Sequence, residues 1–96
     1  MDERIGFIGI VLDDLSSAEK VNRIIGEYQD MVTGRIGVPD HENSRAVIGL
    51  IVRGDTTGLG TFTGKLGNIA GVTVKSAVTR KNAAEQTAAK TGDEKI

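Results

Sequence analysis

The residues most suggestive of chemistry lie between Gly60 and Gly71, in GTFTGKLGNIAG, where Gly64-Lys65 stands as a glycine and lysine stand in a phosphate-binding loop. Such a loop reads G-x-x-x-x-G-K-[ST], its amides cradling phosphates and its hydroxyl holding magnesium. Here the first glycine position is Leu59 and the hydroxyl position is Leu66. A G-x-G-x-x-G motif begun at Gly58 would need a glycine where Thr63 stands. Neither motif is complete, and Leu59, Phe62, Leu66 and Ile69 recur at helical spacing, which places the glycines inside a helix. Packing is therefore the expected role of this stretch.

The remaining candidates are sparse. Asp13-Asp14 could pair as carboxylates for acid–base work or a cation, but adjacent side chains project differently and no third carboxylate follows at a readable spacing. A solvated loop is expected. His41, the single histidine, lies in the polar turn PDHENS and is expected to be exposed. Ser, His and Asp occur without a nucleophile elbow. With one imidazole and no cysteine, a zinc or nickel site within one chain is not expected. No catalytic residue, metal or cofactor is assigned, and the chain is read as a non-enzyme.

The elements that must position these residues come next. RIGFIGIVL (4–12) is a strand, β1, with Ile5, Phe7 and Val11 on one side and Ile8, Ile10 and Leu12 on the other. A helix, α1, follows over 16–29, with Ser16-x-x-Glu19 as a capping box and Ala18, Val21, Ile25 and Tyr28 on one face. MVTGRIGVP (31–39) is a weaker strand, β2, whose glycines and proline suit an edge. RAVIGLIVR (45–53), β3, again carries apolar residues on both sides: Ala46, Ile48, Leu50 and Val52 against Val47 and Ile51. The helix carrying Leu59 and Phe62, α2, has a bare stripe of Gly60, Gly64, Gly67 and Gly71 that would let another backbone approach. VTVKSAVT (72–79) closes the order as β4.

This order, βαββαβ, is the ferredoxin-like α+β sandwich: a four-stranded antiparallel sheet with two helices on one face. Right-handed crossovers are expected to set β1 and β3 side by side and parallel at the centre, with β2 and β4 at the edges. Residues 1–79 form this domain, and 80–96 form a polar tail, flexible or loosely helical. Both central strands are apolar front and back, yet the helices cover one face. A second copy is the simplest cover, so a homo-oligomer (dimer or tetramer) is expected, with Ile8, Ile10, Ile48 and Leu50 at the interface.

Composition agrees with an assembling domain. A chain of 96 residues with aromatics at 3% and no cysteine builds a modest core without staples. Residues 1–79 carry eight Lys/Arg against ten Asp/Glu and the tail four against three, so no basic patch points to direct nucleic-acid binding. The acidic opening MDERIGF is no signal peptide, and no apolar run approaches a membrane span. A cytoplasmic protein without membrane attachment is expected.

If β1 and β3 are parallel, their ends lead together into LDDLSS (12–17) and RGDTTG (53–58), where loops and helix N-termini converge. Asp13, Asp14, Ser16, Asp55, Thr56 and Thr57 are thus the candidate ligand-binding residues. The competing role for the same side chains is structural, with Ser16 capping α1 and Asp55 or Thr56 capping α2. Arg35 and Arg45 flank the hairpin and could bind an anion, but surface pairing with Asp40 or Glu42 is the expected use.

RIGVP (35–39), NSRAVIGLIV (43–52), DTTG (55–58) and GKLGNIAGVTVK (64–75), together with the opening strand–helix unit, resemble the small family of iron-only hydrogenase system regulators. The resemblance runs in order over residues 4–75, and its most specific part is G-K-L-G-x-I-x-G-V-x-V-K. It implies an ACT-like protein, similar to the C-terminal domain of the nickel-responsive regulator and to the regulatory subunits of acetolactate synthase. It further implies oligomers made through sheets, a small-molecule effector near the first loop, and a regulatory role. The nickel-responsive relatives use several histidines and a cysteine, which this chain lacks. They also carry a DNA-binding segment ahead of the domain, for which the first strand at Arg4 leaves no room, so a role as transcriptional regulator would run through a protein partner. The usual D-x-x-G turn of ACT domains appears as Asp13-Asp14-Leu15-Ser16, with serine at the glycine position. The alternative function is a structural or adaptor module that oligomerises without a metabolite ligand.

Overall fold

Runs of β-branched residues build the two central strands, and capped amphipathic segments build the helices between them. The computed structural model describes residues 3–79. β1 (Glu3–Leu12) passes through a 3-10 turn (Leu15–Ser17) into α1 (Ala18–Glu27), and a second 3-10 turn (Gln29–Met31) leads into β2 (Val32–Asp40). The turn His41–Asn43 closes the hairpin to β3 (Arg45–Asp55), followed by α2 (Thr56–Gly67) and β4 (Val72–Val78). The sheet order is β2-β3-β1-β4, the ferredoxin-like arrangement, with the two doubly apolar strands at the centre as expected. The polar tail expected over 80–96 lies outside the described residues.

One expectation is overturned. β1 and β3 are antiparallel, with Glu3 opposite Asp55 and Leu12 opposite Ala46. The right-handed crossover rule relates β1 to β2 through α1, and β3 to β4 through α2. The β2–β3 hairpin then reverses the chain, so β3 enters between β1 and β2 running the opposite way. Every ladder in the sheet is antiparallel.

The core lies between the sheet and the helices. Ile8, Ile10 and Leu12 from β1, Ile48, Leu50 and Val52 from β3, Val21 and Ile25 from α1, and Leu59, Phe62 and Leu66 from α2 are all buried. This corrects the expected interface: Ile8, Ile10, Ile48 and Leu50 face the helices and are used up inside the chain. The opposite parity of the same strands is the open face. There Ile5, Phe7, Val11, Val47 and Ile51, joined by Ile36 and Val38 of β2, are 39–65% exposed. Two rings join the helices, Tyr28 stacking on Phe62 with centroids 4.7 Å apart.

Candidate functional site

The antiparallel register decides the fate of the six expected ligand residues. Asp13, Asp14 and Ser16 follow Leu12 at one end of the β1–β3 ladder, whereas Asp55, Thr56 and Thr57 lie at the Glu3 end. Nine residue steps separate the ends, about 30 Å of strand. The two halves do not form one site. At the second end Asp55 has a structural role: its Oδ1 accepts the Gly58 amide at 2.7 Å, the N-cap of α2. Thr57 offers its carbonyl to the Thr61 hydroxyl.

The first loop meets different neighbours. Asp14 Oδ1 accepts the Ser16 amide at 2.9 Å and starts the 3-10 turn. The α-helix begins only after Ser17, so the expected capping box of Ser16 and Glu19 does not form. Ser17 donates its hydroxyl instead to the Ala70 carbonyl at 2.9 Å, which ties the loop to the α2–β4 turn. Asp13 N donates to Gly71 O at 2.8 Å, and Leu15 N to Ser44 O at 2.9 Å, so three separate turns are fastened together. Gly71 has φ +78°, in the left-handed region that glycine adopts without strain.

These contacts shape a cleft of about 300 Å³ lined by Asp14, Ser16, Ser17, Lys20, Ile69, Ala70 and Gly71. It brings one carboxylate, one ammonium and two hydroxyls, that of Ser17 already bound to Ala70, around a partly apolar wall. Lys20 and the 69–71 turn were missed from sequence. Lys20 reads as a solvated position of α1, and Gly71 reads as the end of the glycine stripe.

His41 is exposed in the hairpin turn. Beside it, Asp40 Oδ2 accepts from Asn43 Nδ2 at 3.0 Å and from Arg45 Nη2 at 2.9 Å, as expected for Arg45. The Asn43 hydrogen bond first, then Arg45, holds the Asp40 carboxyl below its ordinary pKa. Arg35 differs, donating to Asn22 Oδ1 of α1 at 2.6 Å. Among the described residues no group of three His, Asp or Glu is placed to hold a metal ion.

Lys65, the lysine of the loop-like motif, sits near the C-terminus of α2, with Nζ 3.6 Å from Glu27 Oε1 and 5.3 Å from the Tyr28 ring centroid. Tyr28 first, and Glu27 after it, raise its pKa. It bridges the two helices. The glycine stripe is also not packed as expected: among the described residues, a Cβ at Gly60, Gly64 or Gly67 would meet nothing within 4 Å. These glycines leave an open groove against β4.

The strand order and the two helices on one face of the sheet define a ferredoxin-like fold. The chain's residues 4–76 match the model of the TM1266-like family, described as "Iron-only hydrogenase system regulator, putative", and the chain belongs to that family. It is similar to the solved structure of the uncharacterized protein TM1266 from Thermotoga maritima, with 30% identity, a TM-score of 0.76, and coverage of 81% of this chain and 99% of that one. At the level of fold alone it is similar to the ACT domain from GTP pyrophosphokinase of Chlorobium tepidum, with 21% identity, a TM-score of 0.63, and coverage of 80% and 89%. The apo form of CPII from Thiomonas intermedia K12, a nitrogen regulatory PII-like protein, shares the fold at 13% identity and a TM-score of 0.52, with coverage of 78% and 88%. No curated protein matches the chain. Among the described residues no helix is long and apolar enough to cross a membrane.

Proposed function

We propose that this protein is a non-enzymatic, cytoplasmic regulatory subunit of the iron-only hydrogenase system, which assembles with further copies through its sheet and senses a small ligand at the first loop. The observation that carries this reading is the helix-free face, whose seven apolar side chains remain 39–65% exposed in a single chain. Contiguous apolar patches of this kind mark interaction surfaces. Family membership supports the regulatory context, and the regulator would act through a protein partner.

For the ligand, the half-site around Asp14, Ser16 and Lys20 supports a small zwitterion. The Asp14 carboxylate would meet an ammonium, and the Lys20 ammonium would meet a carboxylate. A free amino acid carries both charges at a separation that a cleft of about 300 Å³ accommodates. The rival reading, an adaptor without a metabolite ligand, shares the assembly surface and differs only at this cleft.

Thermal unfolding in the presence of individual amino acids separates the two. A ligand at 100 times its Kd adds about 2.7 kcal/mol to the native state and raises Tm. Asp14→Ala and Lys20→Ala should each abolish the rise. If no amino acid moves Tm at millimolar concentration, the adaptor reading stands in its place.

A further inference from the structure

We propose that Phe7, laid flat across the Gly9–Gly49 pair, is the central contact of a symmetric dimer in which the open sheet faces of two copies stack. This rests on the reading of that face as an assembly surface, and it adds the face-to-face symmetric geometry and the residues that set the fit.

Gly9 and Gly49 are direct register partners at the middle of the β1–β3 ladder. A Cβ on Gly49 would stand 2.7 Å from Phe7 Cζ and 2.9 Å from Cε1, and one on Gly9 would stand 3.4 Å from Cε2. The Phe7 ring therefore occupies the space that two side chains would otherwise fill. Ile36 closes the far side, 3.3 Å from the same Gly49 position. Phe7 is still 43% exposed, because the ring covers backbone with one side and offers the other outward. An upright aromatic at the sheet centre would hold a second sheet away. A ring lying on glycines lowers the centre of the face, and sheets pack face to face at about 10 Å, a spacing that a protruding centre would prevent.

The charges identify the occupant as a second copy. An isologous interface pairs a surface with itself, so its charges must compensate within one surface. The open face has an ion pair at each end, Glu3–Arg53 at 3.6 Å and Asp40–Arg45 at 2.9 Å. The apolar side chains lie between them, with Lys75 opposite Gly9 on the β4 margin. Lys75 leaves a single extra positive charge at the margin, so a basic peptide would find no net negative charge and an anionic lipid surface would find far fewer than the roughly four to eight clustered cations that mark such sites. The patch amounts to roughly 600 Å² per copy, the upper end for a monomer, and two copies would bury about 1,200 Å², the lower bound of a specific interface.

The test is sedimentation of the full chain across concentrations, for the unaltered protein, Val38→Asp, Phe7→Ala, Gly49→Ala and the double variant Phe7→Ala/Gly49→Ala. The unaltered protein should be dimeric, and Val38→Asp should separate the copies. Gly49→Ala should lift the ring and weaken the dimer at least tenfold, as should Phe7→Ala. With the ring gone the added methyl has nothing to displace, so the double variant should lie within twofold of Phe7→Ala. Circular dichroism should show an unchanged fold throughout. A dimer that Val38→Asp breaks but Phe7→Ala and Gly49→Ala leave within twofold overturns the ring's role while the assembly reading survives. A methyl at Gly49 equally damaging without the ring does the same. A monomer at several hundred micromolar, including one that binds vesicles or another protein through this face, overturns both.

Discussion

Single side chains here are committed to fastening turns. Asp55 holds the start of α2 by accepting the Gly58 amide. Asp55→Ala should cost about 1 kcal/mol, the usual loss for an acidic N-cap, read as a lower midpoint in urea. An unchanged midpoint would return Asp55 to the list of residues free to bind a ligand. Asp40 allows a prediction about pH. Its folded pKa is depressed by Asn43 and Arg45, so its contribution to stability is present above the ordinary carboxylate range and is lost as pH falls through the folded value. Asp40→Asn should therefore lower stability slightly near neutrality and not at all at strongly acid pH, flattening the acid limb by that same small amount, since the pair is exposed.

The elements follow burial more than propensity. α2 carries four glycines over Thr56–Gly67 and is nevertheless a helix, because Leu59, Phe62 and Leu66 bury one face of it. Three of those glycines face open space. Gly64→Ala should thus stabilise the domain by about 1 kcal/mol through helix propensity alone. For a domain of this size that is a Tm rise of ~4–8 °C. Gly6→Ala should do the reverse, because its Cβ would run into the Ala77 carbonyl oxygen and lie 2.7 Å from Val78 Cα. If Gly64→Ala lowers Tm instead, something outside residues 3–79 packs on the stripe. The helical face of α1 was legible from Val21 and Ile25, but its start was not. Ser16 has the right spacing for a capping box, yet Asp14 two residues earlier takes its amide, and Ser17 is drawn to Ala70 across the fold.

At the scale of the whole molecule, one sheet has two apolar faces, and the helices among the described residues cover one of them. Assembly through the uncovered face, as proposed, would make stability depend on concentration, because whatever binds only the native state raises Tm by mass action. Tm of the full chain should climb between micromolar and several hundred micromolar protein, and Val38→Asp should abolish the climb without lowering the dilute value. A Tm independent of concentration would contradict assembly through this face.

The amino-acid sequence on its own determined the βαββαβ order, the identity of central and edge strands, and the two sets of side chains on each central strand. Those follow from local periodicity, which adjacent residues carry. It could not say which set the helices cover, because Ile8, Ile10 and Leu12 are as apolar as Ile5, Phe7 and Val11, and only crossover geometry chooses between them. Nor could it place the two loop clusters. Whether Asp14 and Asp55 share a site depends on strand direction, and strand direction is a relation between segments distant in the chain. The tertiary structure decided both: it turned Ile5, Phe7, Val47 and Ile51 outward, and it gave Asp14 the neighbours Lys20 and Gly71 in place of Asp55.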